Sequence, residues 1–298
     1  MLLLRYPEST AVAEAFVAGE MGEGCILMSP AEAAERLAIP GARAGLGALW
    51  SPHEIRVESR AAVPALAGWL AEAHGVAFMS RTAVLSVAPP RIETSHGPVA
   101  AGSAVVCPGD DLTTLFPDSI AAHGVEKASL TMLRLEDPGW RLPATLMSDL
   151  GLARYLGYAA LPPAEALRRK LERTDPDALA HGIHLIVAQG SDGRLIVGDS
   201  HHYGDLADPF MDARVEALIL EEFRTATGLE PPPVATRWAG SYARAAGPMF
   251  VETPLDGVRL VMVTSGTGAS TAFAIAEEVV GEMFGADLTD LPLEGKHT

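Results

Sequence analysis

The sequence predicts an α/β chain in which one domain is split around an inserted second layer, and three observations carry that prediction. Val258–Gly281 reads VRLVMVTSGTGASTAFAIAEEVVG: a buried strand (Val258, Leu260, Val261, Val263), a turn at Ser265-Gly266-Thr267-Gly268, and a helix from about Ala269. Earlier in the chain, Ala104–Cys107 is a second apolar strand that runs into the turn Pro108-Gly109-Asp110-Asp111. Between these two strand-end turns the composition changes near residue 125, and strand patterns then follow one another. The expected boundaries are residues 1–125 and 255–298 for the split domain and 126–254 for the insertion.

The elements follow in order. Leu2–Tyr6 is a strand, and Ser9 is positioned to cap a helix over Thr10–Met21. Cys25–Met28 is a short strand. Ser29, Pro30 and Glu32 then supply an N-cap, a proline at the first helical position and the acid of a capping box. Gly45–Trp50 is a strand. Val57–His74 is a long amphipathic helix with Val63, Leu66, Ala67 and Leu70 on one side, stopped by Gly75. Val76–Met79, Ala83–Val87 and Arg91–Thr94 alternate as strands, with turns at Pro89-Pro90 and His96-Gly97-Pro98. Beyond residue 125, Glu126–Leu135, Ile183–Gln189 and Leu195–Gly198 are strands, and Ser191-Asp192-Gly193 is a hairpin turn. Pro163–Arg173 is a solvated helix. Asp212–Thr227 is a helix stopped by Gly228 and the run Pro231-Pro232-Pro233. Val234–Tyr242 and Met249–Thr253 return to strand before Val258 re-enters the split domain.

Composition narrows the function. The chain has 298 residues, 48% of them hydrophobic, enough for a large core. A net charge of -16 argues against a nucleic-acid partner, which calls for a basic footprint. Two cysteines, Cys25 and Cys107, make no disulfide framework, so a reducing cytoplasm is the expected compartment. No apolar run is long enough to span a membrane, and MLLLRYPES is too short for a signal peptide.

The chemistry-bearing residues are then weighed one by one. A glycine turn opening a helix lets backbone approach a ligand and presents unpaired N–H groups at the positive end of the dipole. Gly266-x-Gly268-x-x-Thr271 nearly spells the dinucleotide fingerprint, which needs a further parallel strand with an acid about 20 residues on. The stretch past Gly281, through Asp287, is expected to hold no such strand, so this element completes a sheet built from earlier residues. No metal site is expected: His201 and His202 lie near Asp199, Asp205 and Asp208, but adjacent strand side chains point to opposite faces, and the sequence has no His-x-x-x-His or Cys-x-x-Cys spacing. There is no Gly-x-Ser-x-Gly elbow, and Cys107, ending an apolar strand, reads as a packed small residue. His184 is either a satisfied core histidine or a hydrogen-bonding partner, and Arg237-Trp238 either lines a pocket or packs.

Taken together, LWSPHEIRVESRAAVPALAGWL, VVCPGDDLTTLFP, DGRLIVGDSHHYGD and VMVTSGTGASTAFAIAEEVV resemble the FAD-dependent oxidoreductases of the D-amino-acid oxidase superfamily. The branch they are most similar to is the one associated with bacterial phosphonate catabolism. The resemblance implies a glutathione-reductase-like FAD-binding domain with an inserted antiparallel-sheet substrate domain. It implies a small amine substrate, hydride transfer from its C–N carbon to the flavin, imine hydrolysis, and oxygen as the acceptor that reoxidises the flavin. It places Val84 against the adenine and Pro108 and Gly109 along the FAD. It sets Ser265, Gly266, Thr267, Gly268, Ala269, Ser270 and Thr271 at the flavin ring.

Two departures from the family pattern shape the expectation further. Members open with a strand, a Gly-x-Gly-x-x-Gly turn and a helix that hold the FAD pyrophosphate, and the sequence beginning at Met1 is expected to lack that unit. A shortened chain of this kind is expected to bind FAD poorly or not at all, which leaves open a non-enzymatic binding module. Relatives of glycine oxidase also carry Ala-Gly-Leu-Arg-Pro, whose arginine clamps the substrate carboxylate. The matching residues here are Ala239-Gly240-Ser241-Tyr242-Ala243, with Tyr242 in the arginine's place. That favours an amine whose anionic group lies elsewhere, such as an N-methylated aminoalkylphosphonate, over a D-amino-acid or glycine-type substrate. Arg134 or Arg237 is the expected substrate clamp, with His184 or His202 as a hydrogen-bonding partner beside Tyr242.

Overall fold

A computed structural model describes residues 1–285 except 207 and 209; the final residues of the expected 255–298 segment lie outside the described ones. In chain order the first elements are β1 (Leu2–Leu4), α1 (Pro7–Val17), β2 (Ile26–Met28), α2 (Pro30–Leu37), β3 (Gly47–Trp50) and α3 (Ser59–His74). Then come β4 (Val84–Ala88), β5 (Arg91–Thr94), β6 (Gly97–Ala100), β7 (Ala104–Val106), α4 (Pro117–Ala122), β8 (Glu126–Leu135) and β9 (Leu146–Met147). The chain continues through α5 (Leu156–Ala159), α6 (Ala164–Thr174), α7 (Pro176–Ala180), β10 (Ile186–Gln189), β11 (Leu195–Gly198) and β12 (His202–Gly204). It closes with α8 (Ala213–Thr227), β13 (Val234–Glu252), β14 (Val258–Ser265) and α9 (Gly268–Phe284). The α/β expectation holds.

These elements form two compact units: Met1–Val76, Ser129–His202 and Asp208–Gly240 in one, and Ala77–Ala128, Tyr203–Ala207 and Ser241–Thr298 in the other. The division follows packing, and its cuts differ from the role-based boundaries expected at residues 125 and 254. Strands β8 and β13 each contribute residues to both units.

In the first unit the strands run in the order β2-β3-β1-β9-β10-β11-β8. Leu2, Leu3 and Leu4 are all buried, so β1 is apolar throughout, as a strand covered on both faces must be. It pairs antiparallel with β3 (Leu2 opposite Leu49) and parallel with β9 (Leu2 opposite Met147). Strands β10 and β11 form the expected hairpin across Ser191-Asp192-Gly193. In β8 and β11 the burial alternates: Leu133, Leu135, Leu195 and Val197 enter the core, while Arg134 and Ile196, opposite one another, take the other face. The core then spreads to α1, α6 and α8 through Phe16, Leu167, Leu171, Ile219 and Phe223.

The helix ends show which local signals prevail. Ser29 and Glu32 form the reciprocal capping box, Asp212 caps α8 by accepting from the Arg214 N–H at 2.7 Å, and Gly75 and Gly228 end helices in the left-handed conformation. Ser9 does not cap α1. That helix begins at Pro7, and the Ser9 hydroxyl donates instead to the buried carboxylate of Asp149 at 2.6 Å. The same carboxylate accepts from Arg5 Nε at 2.7 Å, while Arg5 Nη1 reaches Glu222 at 3.2 Å and Asp175 at 3.5 Å. Burial opposes the Arg5 charge, but Glu222, Asp149 and Asp175 outweigh it and hold its pKa above the ordinary value. One guanidinium cannot neutralise three carboxylates, and burial, foremost, pushes Glu222 up to about 7.

The second unit has its own core of Val87, Ile92, Val106, Ile120, Val258, Leu260 and Met262. Strands β4, β5 and β6 form a three-stranded antiparallel sheet. Strand β14 pairs parallel with β7, Val258 opposite Ala104 and Leu260 opposite Val106, so the late strand does complete a sheet begun by earlier residues. On its other side β14 pairs antiparallel with β13. The two strands expected on either side of Gly247-Pro248 are one, β13, and a register shift between Arg244 and Met249 takes up the glycine and proline. Val76–Met79, expected as a strand, forms none. Helix α3 is found where expected, yet none of its residues is buried, and α9 buries only Val279.

Candidate active site

The glycine turn lies where β14 leaves the sheet. Ser265 and Thr267 share a hydroxyl–hydroxyl hydrogen bond of 2.7 Å, and Ser270 and Thr271 donate to the Thr267 carbonyl at 2.8 and 3.0 Å. These bonds tie the first turn of α9 to its N-cap residue, whose own side chain caps nothing. The first N–H groups of a helix have no intrahelical acceptor, so Gly268 and Ala269 present theirs outward at the positive end of the dipole. Gly266 has φ +69°, and a Cβ there would stand 3.2 to 3.5 Å from Tyr242 ring atoms. Gly109, in the turn after β7, has φ +66°, and a Cβ there would meet no atom within 4 Å.

Both turns open on one cleft of about 690 Å³, lined by Gly109, Tyr242, Gly266 and Gly268 and floored by apolar residues such as Val261 and Ile275. The volume suits a small-molecule or cofactor site. The structure thus brings together Tyr242 and three of the expected cofactor-binding residues. Pro108 adjoins Gly109, while Ala269, Ser270 and Thr271 continue the first turn of α9 and Val84 lies on β4, outside that lining. Cys107 is exposed and lines the cleft; it is not the packed residue the sequence suggested. Strand alternation explains this, because Val106 takes the buried face.

The first unit carries the remaining expected residues, its two expected arginines standing in separate groups. Arg134 lines a pocket of about 500 Å³ with Arg60, Arg194, Asp192 and Trp238. Arg134 pairs with Asp192, and Arg194 Nε donates to Glu136 at 3.0 Å. Arg60, one of the first residues of α3, makes no ion pair among the described residues. Arg237 is absent from this lining; its guanidinium forks onto both oxygens of Glu216, with Nη2 at 2.6 Å from Oε1.

His184 and His202 belong to neither group. His202 is exposed, its Nε2 3.0 Å from His181 Nδ1. His184 is 3% exposed and sits among Tyr155, Asp199 and His201. Its Nε2 is 2.8 Å from the Tyr155 hydroxyl and 3.3 Å from Asp199 Oδ1, and its ring stacks on His201 at 4.8 Å. Burial, foremost, lowers His184 to about 3 and His201 to about 4, and it raises Asp199 to about 7. Arg60 and Tyr155 carry no signal of a site role in the sequence, whereas Asp199 stands there among the acids near His201 and His202. Asp199 is close to His201 in the chain, whereas His184 and Tyr155 reach them only through the fold.

Comparison with known proteins sharpens this picture. No functionally curated protein matches the chain. Among solved structures, L-proline dehydrogenase from P. horikoshii superposes with a TM-score of 0.71 at 17% identity, over 95% of this chain and 71% of that one. Glycine oxidase from Bacillus cereus gives a TM-score of 0.71 at 14% identity, over 95% and 71%. Iminodiacetate oxidase from Chelativorans sp. BNC1 gives 0.66 at 17%, over 98% and 73%. At such identities the likeness is one of fold. The family model described as FAD dependent oxidoreductase (DAO) matches residues 2–281. That match takes in both strand-end turns and all the chain between them, and this protein accordingly belongs to the DAO family of FAD-dependent oxidoreductases.

Proposed function

We propose that this chain oxidises the C–N bond of a small amine whose anionic group is not a simple α-carboxylate, an N-methylated aminoalkylphosphonate being the substrate class favoured. The observation that carries the reading is Tyr242. It stands in the motif position of a carboxylate-clamping arginine, and its ring lies against Gly266 in the cleft. A phenol offers one hydrogen bond there in place of a bidentate fork. The arginine-lined pocket of the first unit supports recognition of an anion, with Arg134 held by Asp192 and Arg60 not committed to any carboxylate among the described residues.

The cleft residues fit the family's cofactor. Gly266 and Gly109 are in a conformation that glycine adopts without strain, and a side chain at Gly109 would find open space in the cleft lining. When bound, FAD supplies the two-electron acceptor for amine oxidation. The chain's own contribution is then positional and electrostatic. Gly266 and Gly268 let backbone come close, the N-terminus of α9 favours negative charge beside it, and the apolar cleft wall keeps water out. Oxygen is the proposed final acceptor.

The test is anaerobic reduction of FAD-reconstituted protein, followed by peroxide release on admitting air. N-methyl-aminoethylphosphonate is expected to bleach the visible flavin absorbance faster than glycine or D-alanine. Faster reduction by either amino acid overturns the phosphonate reading in favour of a deaminating amino-acid oxidase. No FAD uptake at all overturns both.

A further inference from the structure

We propose that His184, Asp199 and His201 form a binding site for a divalent first-row transition metal. One ligand atom from each lies within 4.8 Å of the other two. His184 Nε2 is 3.3 Å from Asp199 Oδ1, and His201 Nε2 is 3.9 Å from Asp199 Oδ2. Ligands about 2.1 Å from a metal stand roughly 3 to 3.5 Å apart, so small side-chain rotations close this set around an ion. Two imidazoles and one carboxylate are a donor set used by zinc and by non-haem iron, with positions left for water or an anion.

Three features distinguish the cluster from an ordinary buried polar group. The first is burial: His184 is 3% and His201 6% exposed, and the Asp199 side chain 17%. The second is orientation. His201 Nδ1 is 3.1 Å from the Gly182 carbonyl, to which it donates; this fixes the tautomer and leaves Nε2 as the ring nitrogen turned to Asp199. The third is unmet bonding. Asp199 Oδ1 is buried and accepts no hydrogen bond among the described residues, although it lies 3.3 Å from His184 Nε2, a nitrogen also 2.8 Å from the Tyr155 hydroxyl. Donor atoms of three side chains converge here, and one metal ion can be shared among them. Arg154 is the cation whose charge reaches all three groups; it opposes a second positive charge and favours an anionic ligand in the open positions.

The experiment uses the full chain freed of metal with a chelator and titrated with Zn²⁺ by calorimetry, with metal content measured after dialysis. One equivalent is expected to be retained. His184→Gln, Asp199→Asn and His201→Gln are each expected to weaken binding by at least about 100-fold, the upper end of what even an outer-shell change costs. His202→Gln is expected to leave affinity unchanged, which separates the cluster from the exposed His181–His202 pair. Zinc affinity lost in His202→Gln and kept in the other three overturns the proposal. X-ray absorption of the bound metal needs no variant to fold: two imidazoles in the coordination shell are expected. One or none, or no retained metal, overturns it.

Discussion

Replacing Gly266 by alanine probes the glycine turn most directly, because the structure separates two costs. The first is conformational. At φ +69° an alanine Cβ crowds the following carbonyl, at about 1–2 kcal/mol. The second is steric: the new Cβ stands 3.2, 3.4 and 3.5 Å from three atoms of the Tyr242 ring, which must give way. Overpacking of that kind adds about 1–3 kcal/mol. Gly109 is the internal control. Its φ of +66° brings the same backbone cost, but nothing within 4 Å meets the new methyl. Equilibrium urea unfolding of the two alanine variants is therefore expected to show Gly266→Ala as the costlier by about 1–3 kcal/mol. Adding Tyr242→Ala is expected to recover much of the difference, giving a coupling of about 0.5–3 kcal/mol in the double-mutant cycle. A parallel flavin titration is expected to weaken in Gly266→Ala. If the two alanine variants cost the same, or if Gly266→Ala and Tyr242→Ala are additive, the packing assigned to this turn is wrong.

Four further outcomes are expected. Arg5→Ala leaves Asp149, Asp175 and Glu222 facing one another in a buried site, and thermal or urea unfolding is expected to show a loss of about 3–5 kcal/mol. Because the Glu222 pKa is raised in the folded state to about 7, its contribution is full below the ordinary carboxylate pKa and is lost as pH rises through 7. Glu222→Gln is therefore expected to gain stability relative to wild type as unfolding is repeated at increasing pH from about 5 to 8, and an unchanging difference refutes this. The lowered values of His184 and His201 act oppositely, adding stability above about 6.5 that is lost as pH falls toward 4 and 3, so an acid limb is expected to flatten in His201→Gln. Tyr242→Arg restores the carboxylate fork, and its kcat/KM ratio is expected to shift by about tenfold or more toward glycine over the N-methyl phosphonate.

The legible parts of this chain were those whose signals are local. The capping box at Ser29 and Glu32, the stops at Gly75 and Gly228, and the whole of β8 follow from residues a few positions apart. The turn at Gly266 was legible for the same reason, and so was its partner strand. What failed was governed by distant residues. Ser9 has the neighbours of a helix cap, yet a carboxylate 140 positions away takes its hydroxyl. Gly247 and Pro248 look like a break between Val234–Tyr242 and Met249–Thr253, yet pairing with β14 carries the chain through. The meeting of His184 with Asp199 and His201 is likewise invisible in the sequence, because it depends on backbone pairing between His184 and Asp199. Arg237 shows the same dependence on the fold, its guanidinium on β13 being paired with Glu216 of α8.

The Arg5 network also sets a timetable for the growing chain. Strand β1 leaves the ribosome well before the elements it pairs with, and its three leucines are apolar on both faces. The groups that hold its neighbour Arg5 lie 144 and 217 positions later. Until residue 222 has emerged, the guanidinium lacks one of its carboxylates and the strand lacks its β9 pairing for much of that time. At about 5–20 residues per second, the interval is of the order of ten to forty seconds. A nascent chain arrested before α8 should therefore remain protease-sensitive at its N-terminal end, and one arrested well beyond it should not.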